Sequence, residues 1–349
     1  MKHRIWAGLL VCMLLMSLLP AASAAAYTDV PADHWAAGEI AAATEAGIFQ
    51  GVTADTFGLG RTINRAQFVT ALCRLFGWET ETGETHAFSD CPSGAWYYEA
   101  VETAYANGAL PAYSTTFRPY DAITREEMAS MLVRALGYST LAGQLSGAEL
   151  PYTDVTSNRG YIAIASDLGI FNGYGDGTFR PLGLTTREQA AAVLMRVYDR
   201  LHSESRELSG TAGYTVVSVA TPEPSAETAV PATPLDALPA LYDALKTLKD
   251  SGADMSRVAV VLKEGGVATA TRGSRVLSSQ PISQAEVEAY LGRSGVETYT
   301  HSQYVCSYLT YASGTTQTTV WYQSEEDLAE KLELCRLFGV THYAVESLG

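Results

Sequence analysis

Gly173-Tyr174-Gly175-Asp176-Gly177-Thr178-Phe179-Arg180-Pro181 runs into Thr186-Arg187-Glu188-Gln189, and the same order of residues stands twice more upstream. Thr116-Phe117-Arg118-Pro119 leads to Thr124-Arg125-Glu126-Glu127, and Thr56-Phe57 leads to Asn64-Arg65-Ala66-Gln67. Each copy opens on an aromatic residue and an aspartate: Tyr27-Thr28-Asp29, Phe88-Ser89-Asp90 and Tyr152-Thr153-Asp154. Trp35 and Trp96 follow the first two aspartates by six positions. A helical stretch then ends at Gly47, Gly108 and Gly169. Asp90 lies 61 positions after Asp29, and Asp154 lies 64 after Asp90, so the chain carries an internal repeat.

The second helix of each copy has a physical signature. Asn64, Thr124 and Thr186 are good N-caps, with Gln67, Glu127 and Gln189 three residues on, as a capping box requires. Each cap is worth about 1 kcal/mol. Apolar residues follow at helical spacing: Phe68, Val69, Leu72 and Leu75; Met128, Met131, Leu132 and Leu136; Ala190, Val193, Leu194 and Val197. One helix-loop-helix unit cannot bury such a stripe alone, whereas three packed together can. The expected fold is a compact all-α bundle with an approximate three-fold arrangement.

This pattern resembles the S-layer homology (SLH) family over residues 27 to about 200, and the entry to each second helix matches that family's Thr-Arg-Ala-Glu signature. Two departures stand out. Asn64 replaces the usual threonine, and the third copy has Gly160 or Tyr161 near the tryptophan position, with a first helix expected to be shorter by about three residues. The resemblance divides the chain into repeats at 25–84, 85–147 and 148–207. It implies anchoring to a bacterial cell wall through pyruvylated secondary cell-wall polysaccharide.

Arg65, Arg125 and Arg187 each occupy the first position of a second helix, where capping does not need them. A guanidinium beside free N–H groups at a helix N-terminus makes an anion site, and its fork suits a carboxylate. The alternative is a solvated arginine, or one paired with a neighbouring repeat's carboxylate. The resemblance implies that these three arginines hold the pyruvyl carboxylate. Asp29, Asp90 and Asp154 either accept sugar hydroxyls or cap the first helices. Trp35 and Trp96 either stack on sugar faces or belong to the core.

The flanks supply context. Lys2, His3 and Arg4, the apolar run from Ile5 to Leu19, Pro20 and Ala22-Ser23-Ala24 read as a secretory signal over residues 1–24. The run is short for the roughly 20 residues a bilayer needs, and no later segment is long and apolar enough to span one. The expected location is therefore the bacterial cell surface, with no transmembrane anchor after cleavage. A formal charge of −15 repels phosphate backbones and argues against a nucleic-acid partner. Cys73, Cys91, Cys306 and Cys335 form no metal-ligand spacing, so neither a metal nor a cofactor is expected, and buried free thiols are preferred to disulfides.

Residues 208–235 are rich in proline, threonine and alanine and read as an extended spacer. From 236 the pattern becomes mixed α+β. Helices are expected at Leu238–Leu248, 283–291 and 325–338, and strands at 257–262, 305–310, 317–322 and 341–345. This segment resembles the C-terminal third of family 18 glycoside hydrolases, the chitinase-like enzymes. The match rests on Tyr308-Leu309-Thr310-Tyr311, Val320-Trp321-Tyr322, Asp327 to Leu332, and Gly339-Val340 through Leu348-Gly349. That family's D-x-x-D-x-D-x-E motif is absent, and Glu346 stands where a floor tryptophan is usual. Residues 235–349 number 115, against about 250 for a complete (β/α)₈ barrel. No G-x-S-x-G, P-loop or H-E-x-x-H occurs. No catalytic residue is therefore assigned, and this part is expected to bind a glycan or protein partner or to act as a spacer. The competing readings are a wall-associated hydrolase of the chitinase-like family and a subunit of a surface lattice.

Charge-assisted hydrogen bonds are worth about 1.5–3 kcal/mol. Arg125→Ala should therefore weaken binding to isolated wall glycan more than Arg118→Ala, as read by co-sedimentation with sacculi. Equal losses would reduce the interaction to diffuse attraction.

Overall fold

The computed structural model describes residues 27–80, 87–220, 222, 227–233, 236–301 and 305–348. The expected secretory signal over residues 1–24 lies outside them.

The N-terminal half is helical. Each repeat contributes a first and a second helix: α1 (Ala37–Glu45) and α2 (Arg65–Phe76), α3 (Tyr98–Ala106) and α4 (Arg125–Ala135), α6 (Arg159–Asp167) and α7 (Arg187–Leu201). A short α5 (Ser139–Gln144) follows α4. Capping boxes close the N-termini of α2 and α4, and at α7 Gln189 Oε1 accepts the Thr186 N–H at 3.1 Å. Each second helix packs on the first helix of the next repeat: α2 on α3, α4 on α6, and α7 back on α1. The apolar stripes meet in one core containing Phe68, Leu72, Met128, Leu132, Ala190 and Leu194.

A ring of backbone bonds ties the second-helix entries together. Ile63 donates to Thr185, Thr185 to Ile123 and Ile123 to Ile63, at 3.0–3.1 Å. All three residues are buried. Every repeat thus touches both others, which is why a single repeat could not complete its own core.

The third copy corrects one expectation. Its first helix, α6, has nine residues, the same as α1 and α3. The three missing residues come from the turn before the helix, which Asn158 enters abruptly in the left-handed region at φ 51°. That turn carries the tryptophan in the other copies. Gly160 is instead the second residue of α6, where a Cβ would collide with the Ala142 carbonyl oxygen of α5.

The C-terminal half combines sheets and helices. The helices α8 (Leu238–Asp250), α9 (Gln284–Leu291) and α10 (Glu325–Leu337) match the expected segments. So do the strands β4 (Val258–Glu264), β8 (Cys306–Ser313), β9 (Thr316–Tyr322) and β10 (His342–Ser347). Five strands escaped the sequence reading: β1 (Arg206–Glu207), β2 (Thr215–Val216), β3 (Thr228–Ala232), β5 (Gly266–Arg272) and β7 (Glu297–His301). A sixth, β6 (Arg275–Ile282), pairs with β5. Two sheets result. One is entirely parallel, in the order β1-β10-β4-β3-β2, and the other is antiparallel, in the order β6-β5-β9-β8-β7.

The segment expected to be a spacer, 208–235, is a correction. Its β3 joins the parallel sheet beside β4, with Ala229, Val230 and Ala232 buried. The wholly buried Lys331 donates to the Thr233 and Asp236 carbonyls at 3.1 and 3.2 Å, and Gln323 donates to the Ala232 carbonyl. Pro231 sits within a strand, a position that composition alone reads as extended coil.

The two halves share apolar packing, because the core built from the repeats continues through Leu241, Tyr242, Leu245, Leu334 and Phe338. Polar contacts fix the junction. The buried Tyr242 donates to Asp167 Oδ2 at 2.6 Å, and Lys246 pairs with Asp167 Oδ1 at 3.1 Å. Arg200 donates to the carbonyls of Leu168 and Leu337, bridging α6 and α10. All four described cysteines are free thiols.

Placing a charge in the β3 core carries a large desolvation cost. Val230→Asp should lower stability by about 3 kcal/mol or more, read as a shift of the urea midpoint. A chain whose 208–235 segment were a solvated spacer would tolerate the change.

Candidate functional site

The three aspartates are placed by the repeat and used by its backbone. Asp29 accepts the N–H groups of Phe57, Gly58 and Leu59 at 2.7–2.9 Å. Asp90 accepts those of Phe117 and Arg118 at 2.7 Å, and Asp154 those of Phe179 and Arg180 at 2.8 Å. The carboxylates cap no first helix: Ala36, Tyr97 and Asn158 hold the N-cap positions of α1, α3 and α6, none with a side-chain cap. They fold the loop that leads to each second helix.

The arginines continue the same chain of contacts into the next repeat. Arg65 Nε donates to the Phe117 carbonyl at 2.7 Å, Arg125 Nε to Phe179 at 2.9 Å and Arg187 Nε to Phe57 at 2.9 Å. Each guanidinium also lies over the ring of that phenylalanine, at 4.8–4.9 Å, an attraction worth about 0.5–2 kcal/mol. Burial lowers the pKa of all three arginines, but guanidinium groups remain charged in proteins.

The helix mouths are not free, which corrects the expectation of open N–H groups there. The Arg65 and Ala66 N–H groups donate to Asp121 and Pro119 carbonyls, those of Arg125 and Glu126 to Gly183 and Pro181, and that of Arg187 to Arg61. Charge on the guanidinium remains the basis for attracting an anion.

What surrounds each guanidinium differs. Arg125 Nη2 donates to the Asn172 carbonyl at 3.0 Å and pairs with no carboxylate among the described residues. It lines a cavity of about 190 Å³ with Trp35, Tyr174, Gln189 and Arg196. Trp35 comes from the first repeat, Arg125 from the second and the rest from the third. Arg187 Nη2 donates to the Gln50 carbonyl at 2.7 Å, again with no carboxylate partner among the described residues. It lines a larger cavity, of about 300 Å³, with Arg61, Asn64, Gln67 and Tyr120. Arg65 differs: its Nη1 pairs with Glu127 Oε1 at 2.6 Å, and Arg118 Nη2 reaches the same oxygen at 2.5 Å.

Trp35 and Trp96 are 57% and 60% exposed, so neither is a core residue. Trp96 stands before α3, which packs on α2, as Trp35 stands before α1, which packs on α7. An exposed indole beside a cation is a surface able to stack on a flat ligand face while the cation takes its charge.

A family model for the S-layer homology domain matches residues 26–69, 87–129 and 151–191. This chain carries three S-layer homology domains. Over 180 residues it is 34% identical to an amylopullulanase of Thermoanaerobacterium thermosulfurigenes, covering 50% of this chain and 10% of that one. Over 141 residues it is 34% identical to a cellulosome-anchoring protein of Acetivibrio thermocellus, covering 39% of this chain and 30% of that one. Identity to S-layer protein sap of Bacillus anthracis is 24% over 200 residues, covering 57% and 24%. The chain thus spans 10–30% of the length of these relatives. Among solved structures, it is similar to the Bacillus cereus spore cortex-lytic enzyme SleL, with a TM-score of 0.33 and 11% identity over 39% of this chain and 38% of that one. It is also similar to a GH18 chitinase of Cycas revoluta, with a TM-score of 0.33 and 13% identity over 38% of this chain and 50% of that one.

Two groups in the S-layer homology clefts escaped the sequence reading. One is the third helical residue, Gln67, Glu127 or Gln189, which was read only as a cap. The other is Arg196, which donates to the Ile170 carbonyl at 3.0 Å. Its signal was present: Arg74, Arg134 and Arg196 each stand nine positions after the first-position arginine. Among the described residues, no group of three or more His, Cys, Asp or Glu side chains is arranged to hold a metal ion.

For Asp29 and Asp90, burial raises the carboxyl pKa, but the backbone N–H donors outweigh it and the net value falls below 3.8. Asp154 is lowered chiefly by the Phe179 N–H. A folded pKa below the unfolded one stabilises at pH above the unfolded value and is lost as pH falls through the folded value. The melting temperature of the S-layer homology domains should therefore hold from neutral pH to about 5 and drop below about 4. Asp90→Asn should lower it at neutral pH and shrink the acid-induced drop. An unchanged drop in that variant would remove the aspartates as its cause.

Proposed function

We propose that the chain holds a secreted protein to the bacterial cell wall, by binding pyruvylated secondary cell-wall polysaccharide in the clefts between successive S-layer homology domains. The observation that carries this reading is Arg125: a cation with no carboxylate partner among the described residues, in a cleft shared with Arg196 and the exposed Trp35. A cation without a carboxylate partner on a chain with a net charge of −15 is where an anionic substituent would be drawn.

Arg125 and Arg187 would take the pyruvyl carboxylate through charge-assisted hydrogen bonds, and Trp35 and Trp96 would stack on sugar faces. Asp29, Asp90 and Asp154 act one step back, by setting the loops that the arginines grip. The approximate three-fold arrangement is supported by the closed ring of contacts among Ile63, Ile123 and Thr185. Repetition serves affinity, since linked weak sites on one polymer raise binding by about 10²–10⁴. The name of the cellulosome-anchoring relative fits an anchoring role, and among the described residues no helix is long and apolar enough to cross a membrane.

The C-terminal half enters this reading as a non-catalytic body carried by the anchor. The D-x-x-D-x-D-x-E run is absent from the sequence. Glu346, at the end of β10, is paired with Lys263 at 2.5 Å.

The test is co-sedimentation of the full chain with purified sacculi, before and after mild acid removes the pyruvate ketals. Binding should be strong to the untreated wall and fall at least tenfold on the treated one. Equal binding to both would sink the carboxylate reading.

A further inference from the structure

The loop before each second helix passes through three surface positions, and the backbone identifies which of them correspond. The N–H groups of Arg65, Arg125 and Arg187 donate to the carbonyls of Asp121, Gly183 and Arg61 at 2.9–3.0 Å, so positions 61, 121 and 183 are equivalent. Gly60, Tyr120 and Leu182 stand one residue before them, and Thr62, Ala122 and Leu184 one residue after. All directly precede the bonded ring of Ile63, Ile123 and Thr185, at the N-terminal end of the second helices.

This end of the bundle presents apolar side chains to solvent. Tyr120, Leu182 and Leu184 are 68%, 73% and 55% exposed. A cluster of exposed apolar side chains marks an interaction surface. Tyr120 is held in place, with its ring edge-on to the buried Tyr97 at 5.6 Å. The three equivalent positions carry unlike charges: Arg61 in the first repeat, Asp121 in the second, and the uncharged Gly183 in the third. Arg118 and Arg180, in the turn just before, are taken up by Glu127 and Asp176. Asp121 has a 3.5 Å contact with Arg118 in which both side chains are more than half exposed, and such a pair is weak.

A second copy of the chain fits this pattern. A two-fold axis puts the same patch on both copies, so the patch must complement itself. With the approximate three-fold arrangement proposed above, two copies meeting end to end can exchange their repeats in three ways. One of these sets Arg61 on Arg61, and another sets Asp121 on Asp121; like charges face to face oppose association. The remaining way places the first repeat on the partner's second and the third on the third. Arg61 then faces the partner's Asp121, and Asp121 faces the partner's Arg61. Tyr120 meets the partner's Gly60, where the space a Cβ would enter is open. Leu182 and Leu184 lie against their own counterparts.

We propose that this end of the helical bundle is a self-complementary dimer surface, on which two copies of the chain pair through Leu182, Leu184 and Tyr120, with Arg61 of each against the partner's Asp121. None of these residues lines the Arg125 cavity, whereas Arg61 and Tyr120 also border the Arg187 cavity. The pair therefore keeps one clear Arg125 cavity on each copy. The assignment stands apart from the glycan reading and is tested without glycan.

The experiment is sedimentation equilibrium on the full chain over about 1–100 µM. The wild type should show a monomer–dimer equilibrium. Arg61→Asp and Asp121→Arg should each raise the dimer Kd about tenfold or more, because each sets like charges face to face. Combining the two restores opposite charges and should recover most of the lost affinity. Leu184→Asp should abolish pairing. These three side chains are exposed, and thermal melts confirm that each variant is folded. A wild type that stays monomeric throughout overturns the proposal. So does a dimer that neither charge reversal weakens, and so does a double variant that pairs no better than the single ones. None of these results bears on the glycan reading, and a failure to bind sacculi leaves the dimer surface standing.

Discussion

Three phenylalanine peptides hold the helical half together. The N–H of Phe57, Phe117 and Phe179 is taken by the aspartate of its own repeat, and the carbonyl by the arginine of the preceding one. Each ring is buried beneath that same arginine. A carboxylate, a peptide and a guanidinium in series link every repeat to its neighbour, and the series closes from the third repeat to the first. Removing one member would leave a buried polar group without its partner, which costs about 1–3 kcal/mol.

This arrangement gives the arginine two tasks. Its Nε is spent on the scaffold, so its position is rigid, and part of its guanidinium faces the cleft. A preorganised cation loses little side-chain entropy when a ligand arrives. What stands beside it differs: Glu127 pairs with Arg65, whereas Gln67 and Gln189 line the cavities of Arg187 and Arg125.

The C-terminal half is coupled to the repeats by direct packing. Asp167, at the end of α6, receives Tyr242 and Lys246 from α8, and Arg200 ties α6 to α10. An orientation set by such contacts would transmit from the wall side to whatever the parallel and antiparallel sheets present.

The sequence by itself determined the number of repeats, the second helices and their caps, because helical periodicity and capping are local properties of a few adjacent residues. It also determined the C-terminal helices α8, α9 and α10 and the strands β4, β8, β9 and β10, whose apolar patterns are unambiguous. Only the tertiary structure decided what the aspartates and arginines touch, since their partners lie 25 to 137 positions away. It alone placed Thr228–Ala232 inside a sheet, because a short segment containing Pro231 acquires its strand form from pairing with β4 and not from its own propensity. It also separated the three clefts, because the charge state of an arginine's surroundings is set by residues from a different repeat.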